Sequence, residues 1–220
     1  MTVGHIPIMM SNIKNYAELK GQIENQEKLH SALKVLLVFE VYQPSIGYVP
    51  GIEKIALFLV WQLDEATAWE VLHNILFSSK LLWAWFEGKK TMTELNLQLL
   101  EKMVTRVPQI KTPYEINKAH LERFILEHAP ILFLDVLDSN TVSRIVDHFS
   151  VYGEGVLFLI IEIITEELGD TDISELSPLQ GREYLASVAR CIDPVRIAHK
   201  LLTSLEEYEY FQNKKREIVK

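Results

Sequence analysis

Tyr42-Gln43-Pro44-Ser45-Ile46-Gly47-Tyr48-Val49-Pro50-Gly51 is a breaker-rich stretch lying between two apolar runs. Upstream, Leu29, Leu33, Leu36 and Leu37 recur at the three- and four-residue spacing of one helix face, and that pattern runs to about Tyr42. Pro44 ends it, because proline lacks a backbone donor and restricts the residue before it. A second apolar helix is expected from about Ile52 to Leu63, directly after Gly51. Two helices joined by a tight turn set the fold class: the rest of the chain continues the helical spacing and shows no long strand-like alternation.

Working outward, Asp64 reads as the N-cap of a helix from Glu65 to about Phe77, since a carboxylate suits a helix start. An aromatic cluster, Leu81–Phe86, precedes a helix from Thr91 to about Val104. Thr112-Pro113-Tyr114-Glu115 combines a cap, a proline at the first position and an acid three residues on, which predicts a helix start there running to about Glu127. Pro130 interrupts, Asp138-Ser139 caps Thr141–Ser150, and Gly153 and Gly155 flank a turn before Val156–Leu168. Residues 169–177, rich in Gly, Asp, Thr and Ser, form the best linker candidate. Ser177-Pro178 and Asp193-Pro194 each open a further helix, the last running to about Gln212 before a charged tail. The expectation is a single all-α domain of roughly nine to eleven helices. Residues 1–170 would form its main part and 171–220 would pack on it as C-terminal helices.

A chain of 220 residues can bury a sizeable core, and 48% apolar with 24% charged residues is ordinary for a globular protein. The net charge of −8, from 30 acidic and 22 basic residues, argues against nucleic acid or an anionic membrane as the main partner. The greasiest stretches, Val35–Val41, Ile55–Leu63 and Val156–Ile164, fall well short of the ~20 residues of a membrane helix and read as buried core helices. No signal-peptide pattern follows Met1, and the one cysteine, Cys191, cannot form an internal disulfide. A cytoplasmic protein is expected, at membranes only peripherally and through a partner.

Local motifs for chemistry are sparse. The seven histidines show no metal-ligand spacing, and His120 and His128 are too far apart on one helix for one metal, so neither metal nor cofactor is expected. Cys191 lies near a helix end beside Arg190 with no base indicated, and reads as a buried structural thiol. No phosphate-binding glycine loop is present, so the chain is not expected to bind a nucleotide by itself. Trp83 and Trp85 suit core packing or a partner helix.

The turn and its flanks resemble the middle of a TBC domain, the family of Rab GTPase-activating domains. The likeness rests on Tyr-x-Pro-x-Ile-Gly-Tyr-x-x-Gly at 42–51, with Gly47, Tyr48 and Gly51, between two apolar helices. It continues in Leu63-Asp64-Glu65-Ala66-Thr67-Ala68-Trp69, and in Arg144-Ile145-Val146-Asp147 followed by Glu154-Gly155 and an apolar helix. It covers about residues 2–170. The resemblance implies an all-helical fold and a Rab-type GTPase as partner. It also implies an arginine and a glutamine offered in trans, the first to stabilise charge on the phosphoryl oxygens and the second to position the attacking water.

The chain departs from that pattern at both positions. Pro50 stands where the family has glutamine, and the first arginine of the sequence is Arg106. His5-Ile6-Pro7-Ile8 is the best match to the family's first motif, with Ile8 at the arginine; a shifted register puts Ser11 there. An arginine finger contributes about 10³–10⁵ in rate. The resemblance therefore implies a GTPase-binding or scaffolding module with deficient catalysis, contacting its partner around Tyr48, Pro50 and Gly51. Gly47, Trp69, Arg144, Asp147 and Gly155 would serve the fold, Arg144 and Asp147 through a buried polar contact. Two other readings stand beside it: an active GTPase activator using Lys14, Arg106 or Arg123 instead, and an unrelated helical adaptor.

Overall fold

The computed structural model describes residues 5–22, 24–44, 48–78, 104, 107–153 and 155–203. Gly47, Trp83, Trp85, Arg106, the Leu81–Phe86 cluster, most of the Thr91–Val104 helix and the stretch beyond Thr203 lie outside them. The described residues are helical and contain no strand. Chain contacts divide the protein into two compact units, residues 1–88 and 89–220.

The first unit holds α1 (Ile6–Leu19), α2 (Gln26–Tyr42), α3 (Ile52–Gln62) and α4 (Glu65–Ser78). Met9, Ile13, Tyr16 and Ala17 give α1 one buried face, and Pro7 suits its first turn. Eight of the eleven residues of α3 are buried, as its apolar run predicts, and α1, α2 and α4 all pack on it. The α2 run is one-sided instead: Val35, Leu36 and Phe39 face the core, whereas Val38 and Val41 are about half exposed. Asp64 caps α4 as expected, accepting from the N–H groups of Ala66 at 3.0 Å and Thr67 at 3.1 Å. Ser31 and Lys34 of α2 both donate to Glu65 Oε1 at 2.8 Å, tying α2 to the start of α4.

The second unit holds α5 (Pro108–His128), a 3₁₀ turn (Ala129–Ile131), α6 (Ser139–Tyr152), α7 (Gly155–Leu168), α8 (Pro178–Arg190) and α9 (Pro194–Thr203). Twelve of the fourteen residues of α7 are buried, and α5, α6, α8 and α9 pack around it. Asp138 and Ser177 cap α6 and α8, and Gln180 completes a capping box with Ser177. Lys200 of α9 reaches Glu162 and Glu166 of α7, each at 2.6 Å, so charge as well as the buried Ile197 fastens α9.

Four expectations are corrected here. The long helix begins at Pro108, and Pro113 sits inside it, because Pro108 already supplies a first-turn proline and the Ile110 side chain of that turn is fully buried. The 169–177 stretch is anchored rather than linker-like. Buried Asn117 donates to the Thr171 carbonyl at 2.8 Å and accepts from the Ile173 N–H at 2.8 Å, with Ile173 in the core. Cys191 is exposed at the C-cap of α8, since its neighbour Ile192 takes the inward position. Arg144 and Asp147 are exposed, because Val142, Ile145, Val146 and Phe149 supply the inward face of α6.

Candidate functional site

The turn between α2 and α3 is held at both ends. At its start, Tyr42 meets Trp69 and His73 of α4 edge-on, with ring centroids 5.4 and 5.6 Å apart. Trp69 stacks on His73 and His73 on Phe77, at 5.3 and 4.1 Å, so every fourth residue of α4 carries one ring of a ladder. Trp69 thus lies beside the first residue of the motif, 27 positions earlier in sequence.

At the other end, Gly51 is the buried N-cap of α3 with φ 109°. Few side chains tolerate that conformation, which explains a glycine there. Its N–H donates to Glu53 Oε2 at 2.7 Å, and the Tyr48 hydroxyl donates to the same oxygen at 3.0 Å. Asn12 of α1 donates through Nδ2 to the Tyr48 oxygen at 2.6 Å. Burial pushes the Tyr48 phenol up to about 12; the Asn12 hydrogen bond opposes this, and the Glu53 charge and its hydrogen bond add to it. Pro50, between these tethered residues, is exposed.

His5 lies next to the same cluster. Its Nδ1 is 2.8 Å from Glu40 Oε1, and its ring centroid is 6.2 Å from that of Tyr48. The polar side chains gathered at the turn are therefore His5, Asn12, Glu40, Tyr48 and Glu53. Lys14 is exposed on α1, and Ile8, at the arginine position of the family motif, is half exposed.

Of the residues expected from sequence, Tyr48, Pro50 and Gly51 come together at this turn, with Trp69 at its other end. Arg144, Asp147 and Gly155 belong to the second unit, where Gly155 is the buried first residue of α7. Sequence reasoning missed Glu53, Asn12 and Glu40. Glu53 had a signal, being an acid in the first turn of a helix. Asn12 and Glu40 had none, because their partners lie 36 and 35 residues away. Among the described residues no group of His, Cys, Asp and Glu could hold a metal, and no helix is long and apolar enough to cross a membrane.

The family model for the Rab-GTPase-TBC domain matches residues 10–168, and the chain belongs to that family. No curated protein and no solved structure matches it.

Proposed function

We propose that this TBC domain binds a Rab-type GTPase through the Tyr48–Gly51 turn without accelerating GTP hydrolysis, and so works as a binding or scaffolding module in membrane traffic. The carrying observation is Pro50: it is exposed next to the Gly51 cap, at the position where the family's glutamine would stand, and has no side-chain donor or acceptor. Two carboxylates of the cluster around Tyr48 support the same reading. Glu40 and Glu53 are buried carboxylates, opposite in sign to the arginine that charge developing on phosphate requires. On this reading the protein is cytoplasmic and reaches membranes through its GTPase.

An activator built on a substitute cation draws support from Lys14, which is exposed on α1 two residues from Asn12. Arg123 is less suited, since Glu127 holds its Nε at 3.0 Å. A pull-down with GTP-locked Rab proteins, paired with a hydrolysis assay over the same panel, tests the proposal. Binding without faster hydrolysis supports it. Acceleration that collapses on Lys14→Ala or Arg123→Ala supports the substitute-cation reading and overturns it.

A further inference from the structure

Two donors from the turn converge on one carboxylate oxygen. Glu53 Oε2 accepts from the Gly51 N–H and the Tyr48 hydroxyl, and Glu53 is only 4% exposed. A carboxylate taken out of water is costly unless its lone pairs are met, so this arrangement is self-supporting only while the turn keeps its shape. An acid in a first helical turn ordinarily faces the free N–H groups of its own helix. Glu53 instead turns back to the cap residue and to a side chain before the helix. The bonded residues, Tyr48 and Gly51, bracket Val49 and Pro50. Asn12 extends the bracket to α1, so the turn is fixed against the helices as well as within itself.

We propose that Glu53 is a positioning residue that clamps both ends of the Tyr48–Gly51 turn, fixes how Pro50 is presented, and withdraws the Tyr48 hydroxyl from partner contact. Recognition then runs through Pro50 and the Val49–Pro50 backbone rather than through the phenol. This rests on the reading above that the turn faces a GTPase.

The test uses the full chain with Glu53→Ala, Glu53→Gln, Tyr48→Phe and Pro50→Glu, reading three quantities. These are the exchange rate of the Gly51 amide by NMR, the ultraviolet titration of the tyrosines, and binding to a panel of GTP-locked Rab proteins. Glu53→Ala should speed Gly51 exchange and weaken binding, each by about tenfold or more, as expected for losing a hydrogen bond to a charged group. Glu53→Gln offers a neutral oxygen to the same two donors. It should restore Gly51 protection and most of the binding, yet lower the phenol transition from about 12 because the carboxylate charge is gone. Tyr48→Phe should cost less binding than Glu53→Ala, because the Gly51–Glu53 bond survives. Pro50→Glu should weaken binding with Gly51 exchange unchanged.

Unchanged Gly51 exchange in Glu53→Ala overturns the proposal. So does a Tyr48→Phe variant that keeps Gly51 protection but binds as poorly as Glu53→Ala, since the phenol would then be the contact. If Glu53→Ala does not fold, Tyr48→Phe decides: Gly51 protection kept with binding close to wild type supports the proposal, and Gly51 protection kept with binding lost by about tenfold or more overturns it. If the wild type binds no Rab while Gly51 and the phenol respond as stated, the clamp stands and the GTPase reading fails.

Discussion

Gly51 and Tyr48 carry the most specific residue-level consequences. With φ at 109°, Gly51 has a backbone that an L side chain occupies at a cost of about 1–3 kcal/mol. Gly51→Ala should lower stability by that amount in thermal unfolding, while substitution at exposed Pro50 should not. Tyr48 should titrate at about 12, against the ordinary value of 10.0. Between those two values the unfolded chain has released the phenolic proton and the folded chain retains it. The Tyr48 contribution to stability is therefore intact below 10.0 and is lost as pH rises through about 12. Alkaline unfolding of wild type and Tyr48→Phe checks this: the wild type should lose more stability across that window. Tyr48, Pro50 and Gly51 were marked by the resemblance to the family's turn motif. The sequence could not mark Asn12, whose role depends on a partner 36 residues away, and it misplaced Cys191, Arg144 and Asp147 because spacing near a helix end or on one face leaves orientation open.

Caps and crossings decide the helices. Asp138 accepts from the N–H groups of Asn140 at 2.9 Å and Thr141 at 3.1 Å and also takes the Thr141 hydroxyl. Burial pushes its carboxyl up, but these hydrogen bonds outweigh burial and hold it below the ordinary 3.8. Its contribution is therefore present above pH 3.8 and lost as pH falls through the lower folded value. Asp138→Ala should cost about 1 kcal/mol at neutral pH, read from denaturant unfolding of α6 signals. Gly181 of α8 tests a crossing: a Cβ there would lie 2.2 Å from His120 Nδ1 of α5. The helix-propensity gain of about 1 kcal/mol for Gly→Ala is smaller than the roughly 1–3 kcal/mol of overpacking, so Gly181→Ala should destabilise. Pairing it with His120→Ala should recover much of the loss in a double-mutant cycle. Caps such as Asp64, Asp138 and Ser177 were legible because the signal is local. The start of α5 was not, since two proline signals compete there and burial of Ile110 decides. Nor was the bend at Leu132 and Phe133, with φ 54° and 58°: no glycine announces it, and complete burial of both side chains holds it.

At the scale of the molecule, α3 and α7 are apolar on nearly every side and each organises one compact unit. That much followed from composition, because helices without a polar face must be covered by others. The division near residue 88 did not, since contact density is a tertiary quantity. Family membership, legible from the turn together with the Asp64–Trp69 and Arg144–Gly155 segments, is confirmed by the match over residues 10–168. The proposed use of that fold, binding without catalysis, rests on Pro50 at the glutamine position. The most direct test is single-turnover GTP hydrolysis by each Rab that the protein binds, with the protein at saturation. The account predicts rates within about twofold of the intrinsic rate, against the 10³–10⁵ that an arginine finger supplies. Acceleration of a hundredfold or more for any bound Rab would contradict it.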